Sequence, residues 1–283
     1  MRWQFGRRAW TWDTSSPVRL AGILNVTPDS FSDGGRFAGP ERALAHALTM
    51  VEAGADLVDI GGESSRPGSQ PVPAEVEIER VIPVVRALRE RSDVVISVDT
   101  TKAAVARAAI HAGADVINDI TAMTGDPEMV EVVAERGAGV VLMHMRGTPA
   151  TMQRGDLSAD DLVGDVVAWL DARVEAVCAA GVASEAIVVD PGIGFGKTIE
   201  QNLDLLAHIP RLAALGRPVL VGASRKSFLG ALTERAVADR GWGTAAAHAC
   251  AVWQGAHLLR VHDVDEARDV AAVAGPIRAR VAR

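Results

Sequence analysis

From position 20 onward, short runs dense in Val, Ile and Leu alternate with longer stretches whose apolar residues recur at helical spacing. The runs predict strands at 20–25, 57–60, 94–99, 116–118, 139–143, 187–190, 219–222 and 256–261. The longer patterns predict helices at 40–53, 73–91, 101–112, 127–136, 157–180, 200–215, 243–254 and 264–281. Several end on a glycine stop, as in Ala53-Gly54, Ala112-Gly113 and Ala180-Gly181. Strict alternation of buried strands with helices points to a parallel sheet covered by helices. Eight such units in 283 residues, just above the ~250 typical of the fold, predict an α/β protein with a closed (β/α)₈ TIM barrel. An open doubly wound sheet is the second reading.

Residues 1–17 stand outside this rhythm and hold Trp3, Trp10 and Trp12, half of the six tryptophans, among Arg2, Arg7 and Arg8. They read as a short hairpin or extended lead-in packed on or near a single barrel domain of 18–283. Composition is that of an ordinary soluble globular protein, 48% hydrophobic and 23% charged. A net charge of −7 gives no general attraction to nucleic acid or an anionic membrane, so any anionic ligand is held by local Arg and Lys. No run is long and apolar enough for a bilayer span or a signal peptide, which makes the cytoplasm the expected compartment. Cys178 and Cys250 lie in helical patterns rich in Ala and Val, and are expected to be buried free thiols.

The strand ends are polar, and in a barrel the strand C-termini and the loops after them build the site. Asn25, Asp99, Asn118 and Asp190 end strands, Lys226 follows one, and Arg260 and His262 come from the last. Any one Asp or Asn there serves equally well as a helix cap, and Asp99, ahead of Thr100, Thr101 and Lys102, has the strongest such explanation. Asp190 is followed by Pro191 and no immediate helix. Two carboxylates and an amide at the mouth of an apolar barrel suit a flat, nitrogen-rich heterocycle. Gly192-Ile193-Gly194-Phe195-Gly196-Lys197-Thr198 is not a nucleotide-binding P-loop, because Pro191 stands where the first glycine is needed. It reads instead as a flexible loop beside the ligand, with Lys197 solvated. The loop 25–35 carries hydroxyls, acids and Phe31, and suggests a mobile cover. In Gly61-Gly62-Glu63-Ser64-Ser65-Arg66-Pro67-Gly68-Ser69, Arg66 is free to swing onto an anion. Arg66, Arg260, His262 and Asn25 together suit a diphosphate, with Asn25 and phosphate oxygens offering Mg²⁺ the hard ligands that it prefers. His144 has no partner at metal spacing and reads as structural, and Met143 as a residue that packs on a ring. Ser227, where a helix should start, is placed to meet a carboxylate.

Taken together, the stretches 25–35, 61–68, 97–100, 117–119, 143–149, 190–197, 224–230 and 260–264 resemble, in order, the dihydropteroate synthase family of folate biosynthesis. The family is the target of sulfonamides, and the resemblance implies condensation of 6-hydroxymethyl-7,8-dihydropterin diphosphate with p-aminobenzoate, a Mg²⁺ cofactor and a homodimer. It implies that Asp99, Asp190, Lys226 and Arg260 are catalytic, and that Asp99, Asn118, Met143, Asp190, Gly222 and Lys226 hold the pterin. Asn25, Arg66, Arg260 and His262 would hold the diphosphate, with Asn25 on the metal. Phe31, Ser65, Arg66, Pro67, Phe195, Lys226 and Ser227 would form the p-aminobenzoate site. Two positions depart from the family: Ser65, where Thr is common, and Arg146, often Gln. A pterin-dependent methyltransferase and a pterin-binding homologue without synthase activity are the competing readings. The former has no need of the Arg260-Val261-His262-Asp263 segment or the Asn25 loop.

Overall fold

The structure of the protein, a computed structural model, describes residues 1–13, 16–27 and 35–281. Arg2–Phe5 (β1) and Arg8–Thr11 (β2) form an antiparallel hairpin. Then come β3 (Arg19–Asn25), α1 (Gly35–Glu52), β4 (Leu57–Gly61), α2 (Ala74–Arg91), β5 (Val95–Asp99) and α3 (Ala103–Ala112). They are followed by β6 (Val116–Asp119), α4 (Met129–Arg136), β7 (Gly139–Met143), α5 (Leu162–Ala179) and β8 (Ile187–Asp190). The chain continues through α6 (Ile199–Ala207), α7 (Ile209–Ala213), β9 (Leu220–Val221), α8 (Ser227–Thr233), α9 (Gly241–Gln254), β10 (Leu258–Val261) and α10 (Val264–Val281). The eight strands after the hairpin run in the order β8-β7-β6-β5-β4-β3-β10-β9, all neighbours parallel. A parallel bridge from Val189 to Val219, with Val189 N donating to Pro218 O at 3.0 Å, joins β8 to β9 and closes the ring. This is the (β/α)₈ barrel that the alternation predicts, with the sixth unit altered.

The alteration has a local cause. The predicted helix at 200–215 is two helices that break at His208, because Pro210 lacks the N–H needed to continue the first. Likewise α5 starts at Leu162 rather than 157, where the Asp161 carboxylate accepts from Gly164 N at 2.9 Å.

Period two along the strands sorts the side chains. Leu20, Leu24, Val58, Ile60, Ile96, Val98, Val140 and Leu142 face the helices and join the large outer core. The alternate residues Ala21, Leu57, Val95, Val116, Val141, Val188, Leu220 and Leu258 point inward, where they meet Trp3, Phe5 and Trp12. The hairpin is thus a plug in the N-terminal mouth. Trp3 is fully buried and donates its Nε1–H to Ala186 O at 2.9 Å. Gly139 permits the close fit, since a Cβ there would lie 2.9 Å from Phe5 Cβ. Closing that mouth with aromatic side chains leaves the opposite rim as the open end.

The cysteines depart from expectation. Both are free, but Cys178 is half-buried at the edge of the outer core and Cys250 is exposed.

Candidate active site

Above the apolar inner layer the barrel turns polar. Asn25, Gly61, Asp99 and Asn118 stand side by side in register across β3 to β6, and Asp190 pairs with Met143 across β7 and β8. Arg260 enters from β10 and ties them together. Its Nη2 donates to Asp99 Oδ2 at 2.8 Å, and its Nε donates to Asp59 Oδ2 at 2.6 Å. The same Asp59 oxygen accepts from Asn118 Nδ2 at 3.1 Å, while Asp59 Oδ1 is buried without a partner. Asp59, 2% exposed, is absent from the residues singled out by sequence, although a carboxylate inside the apolar run Leu57-Val58-Asp59-Ile60 was a usable signal. The capping explanation for Asp99 does not hold: α3 has no side-chain cap from its N-cap residue Lys102, and Ala103 N donates instead to Asp126 Oδ2 at 2.8 Å.

The glycine loop after β8 corrects two expectations. Lys197 is not solvated; it is 3% exposed, and its Nζ donates to Phe195 O at 2.9 Å and His144 O at 3.2 Å and lies 3.1 Å from His144 Nδ1. Nor is the loop flexible. Gly192 N donates to Asp190 Oδ1 at 2.7 Å, Gly194 N to Asn202 Oδ1 at 2.6 Å, and Gly194 O accepts from Gln153 Nε2 at 2.9 Å. Arg146, where the family often has Gln, donates from Nε to Gly196 O at 2.6 Å. Gly192 has φ +68°, and a Cβ there would run into the His144 carbonyl, so only glycine fits this turn. This bonding depends on side chains up to 53 positions away, which a local pattern does not reveal. Phe195 is consequently fixed: it packs with Met143, Ile120 and Met152, and Lys226 Nζ lies 4.0 Å from its ring centroid.

Burial and crowding set the charges. Burial pushes the Asp190 carboxyl up to about 6, although the Gly192 N–H, Lys226, Arg260 and Lys197 all favour its charge. Asp99 is raised by burial as well, against the pull of Arg260, with Asp59, Glu77 and Asp119 adding repulsion. Lys226 is lowered to about 8 by burial and by Arg260. Burial also opposes the charge on Arg260, but Asp59, Asp99 and Asp190 outweigh it and hold the guanidinium above its ordinary value. Asp59, Asp99 and Asp190 thus crowd against Arg260 and Lys226, with Lys197 close enough to favour the Asp190 charge, and offer carboxylates to a ligand that becomes positive.

Farther out, His262 Nδ1 lies 2.9 Å from Ser224 Oγ, and burial, Arg225 and Arg260 lower its pKa to about 4, so it is a neutral hydrogen-bonding ring. Asn25 is half-buried at the end of β3, and its side chain bonds to no protein group among the described residues. Gly222 faces Arg260, whose Cβ would be 3.8 Å from an added Cβ. Ser65 is half-buried; Arg66, Pro67 and Ser227 are exposed at the rim, and make no hydrogen bond to the floor residues. Phe31 lies outside the described residues. The structure therefore brings Asp99, Asn118, Asp190, Met143, Gly222, Phe195, Lys226 and Arg260 to one cup, with Asn25 and His262 on its edge, Arg66 at the rim near enough for its charge to act on His262, and Pro67 and Ser227 exposed at the rim.

The model of the family described as "Pterin binding enzyme" matches residues 21–262. A dihydropteroate synthase from Synechocystis sp. is 47% identical over 263 residues, which is 93% of this chain and 91% of that one. The crystal structure of Xanthomonas albilineans dihydropteroate synthase with 4-aminobenzoic acid superposes with a TM-score of 0.87 at 47% identity, covering 93% of each chain. That of the same organism's enzyme in complex with 7,8-dihydropteroate gives 0.86 at 43% identity, covering 98% of this chain and 99% of that one. With the matched segment running from the first barrel strand to His262 and so taking in the whole cup, the chain belongs to the pterin-binding enzymes, in the dihydropteroate synthase family.

Proposed function

We propose that the protein condenses 6-hydroxymethyl-7,8-dihydropterin diphosphate with p-aminobenzoate to give 7,8-dihydropteroate and diphosphate, a step of folate biosynthesis. The observation that carries this is the Arg260 fork between Asp59 and Asp99, beside Asn118 and Asp190 at the mouth of a closed barrel. Acids and an amide there match the N–H edge of a pterin, and Met143 gives its ring an apolar wall. Residues 18–283 then form the pterin-binding barrel, and 1–17 an extension that closes the far mouth.

In the reaction the bond from the pterin methylene to the diphosphate oxygen breaks, the arylamine nitrogen bonds to that carbon, and the nitrogen releases a proton. Positive charge grows on the pterin as the C–O bond lengthens. The carboxylates of Asp99 and Asp190 stabilise it in a site from which water is excluded. Arg260 faces both sides, since Nε and one Nη2 hydrogen are committed to carboxylates and the rest of the fork is open to phosphate oxygens. Neutral His262 offers a hydrogen bond to the leaving group, and Arg66 a mobile charge. The arylamine needs position rather than a strong base, and we assign its site to Phe195, Lys226, Ser65, Arg66, Pro67 and Ser227.

Asn25 fits a Mg²⁺ ion that keeps water and takes most other ligands from phosphate, because it supplies one uncommitted hard oxygen and no cluster of three acidic, His or Cys ligands surrounds it among the described residues. Bound there, Mg²⁺ supplies charge neutralisation on the departing diphosphate. A homodimer through α9 and α10 is supported by exposed apolar side chains on those helices, Trp242 (91% exposed), Trp253, Val273, Ile277 and Val281. Exposed, unpaired Cys250 favours the reducing cytoplasm. Among the described residues no helix is long and apolar enough to cross a membrane.

The test is diphosphate release measured with both organic substrates and Mg²⁺, then with each omitted. Release that depends on p-aminobenzoate is expected. Release without it, or none under any condition, contradicts the proposal.

A further inference from the structure

The two loops that frame the cup are held in different ways. The loop after β8 is bonded from several sides, whereas the loop after β4, which carries Ser65, Arg66 and Pro67, hangs on few ties. At its tip Gly68 N donates to Pro149 O at 3.0 Å, and Ser69 N to Arg66 O at 3.1 Å. At its base Arg80 Nη1 donates to Gly62 O at 2.8 Å. The remaining tie is a single atom: Glu63 Oε2 accepts from Val72 N at 2.8 Å, which closes the loop on itself, and from Lys102 Nζ at 2.7 Å. Lys102 lies three residues beyond Asp99, and the same Nζ donates to Glu77 Oε2 on α2 at 2.6 Å. The Glu77 side chain is fully buried, and its Oε1 has no partner. Burial opposes the Lys102 charge, but Glu63 and Glu77 outweigh it and raise its pKa. One ammonium therefore holds together a loop, a helix and the turn behind the pterin floor.

We propose that Glu63, Lys102 and Glu77 are positioning residues that clamp the loop after β4 over the p-aminobenzoate half of the site. This rests on the reaction proposed above. If the clamp is released, the loop spends less time in its binding form, and apparent affinity falls by that fraction. The pterin floor is built on strand ends and does not depend on the loop. Weakening the clamp thus raises KM for p-aminobenzoate and, through Arg66 on the same loop, KM for the pterin diphosphate, but leaves kcat and the affinity for free pterin in place, a split that general loss of stability would not give.

Glu63→Gln is the principal variant, because it keeps the buried Glu77–Lys102 pair; Lys102→Met leaves Glu77 uncompensated and serves as the stronger perturbation, with Lys102→Arg as the rescue. Hydrogen–deuterium exchange over residues 62–73 of the free enzyme is measured beside steady-state kinetics. Glu63→Gln is expected to speed exchange in that segment and raise KM for p-aminobenzoate about tenfold, the scale of one charge-assisted hydrogen bond. The affinity for free 6-hydroxymethyl-7,8-dihydropterin and kcat are expected to stay within about twofold, and Lys102→Arg to restore slow exchange. Unchanged exchange overturns the clamp. Faster exchange with unchanged KM for p-aminobenzoate, or an equal loss of affinity for free pterin, overturns its positioning role. Exchange does not depend on turnover, so failure of the clamp is distinguishable from failure of the proposed reaction, in which wild-type enzyme itself forms no product.

Discussion

Replacing Asp59 by Asn is the sharpest test of how Arg260 is held. The substitution keeps shape and an oxygen that can accept from Arg260 Nε, now 2.6 Å from Asp59 Oδ2, but it removes the charge. A hydrogen bond to a charged group is worth about 1.5–3 kcal/mol, and Asp59→Asn forfeits most of that difference, so the guanidinium is free to turn toward Asp99 alone. In kcat/KM for the pterin diphosphate the loss is about ten- to a hundredfold. Stability should move the other way or hardly at all. Asp59 is one of the acids that raise Asp99, and its Oδ1 is buried without a partner, so neutralising it relieves repulsion and a desolvation cost. The assay pairs steady-state kinetics with a thermal melt of the same preparation. A folded Asp59→Asn variant whose kcat/KM lies within twofold of wild type refutes the view that this carboxylate sets Arg260. A variant that loses activity only because it melts refutes it equally.

Other outcomes follow from the same geometry. Asp190 is raised to about 6, so its charged form is lost as pH falls through that value; Lys226 is lowered to about 8, so its charge is lost as pH rises through that one. Asp99 is raised to about 7, so its charge is lost first as pH falls. The profile of kcat/KM for the pterin diphosphate should therefore be a narrow bell between about 7 and 8, falling about tenfold per pH unit on each side and more steeply below about 6, and a flat profile from about pH 5 to 9 contradicts the assignment. Gly192→Ala puts a Cβ into the His144 carbonyl at positive φ, and should cost at least about 2 kcal/mol of stability with loss of pterin binding; a melt unchanged from wild type would show that the turn relaxes easily. Trp3→Ala empties the plugged mouth and should cost about 3–5 kcal/mol, a fall in Tm of about 10 °C, while kcat at a temperature where the variant is folded stays near wild type. A kcat that collapses in the folded variant would mean that the plug acts on the site as well as on stability.

Much of the barrel was legible because its signals are local. Apolar runs at one spacing and helical patterns at another mark the eight units, and the polar residue that ends each run falls on the open rim by simple period two. What escaped notice depends on contacts across the barrel. Asp59 sits inside an apolar run, and only the arrival of Arg260, 201 positions later, gives it a role. Lys197 between Gly196 and Thr198 has every local mark of a surface lysine, and what encloses it is the His144 carbonyl and ring from the end of another strand, together with Phe195 O of its own loop. Asp99 shows the reverse case: its local context reads as a helix cap, and the folded chain gives that task to Asp126. The Trp-rich lead-in could be recognised as a hairpin, but its place in the lower mouth follows from Gly139, a small residue at the foot of a distant strand.

The central claim is that the acids on the rim read a pterin. Calorimetric titration of free 6-hydroxymethyl-7,8-dihydropterin into wild type and Asp190→Asn tests it directly. Asp190 is 5% exposed, and losing one side of a buried charged pairing costs about 3–5 kcal/mol, so affinity should drop by more than about a hundredfold in the folded variant. Equal affinities in the two proteins would contradict the account.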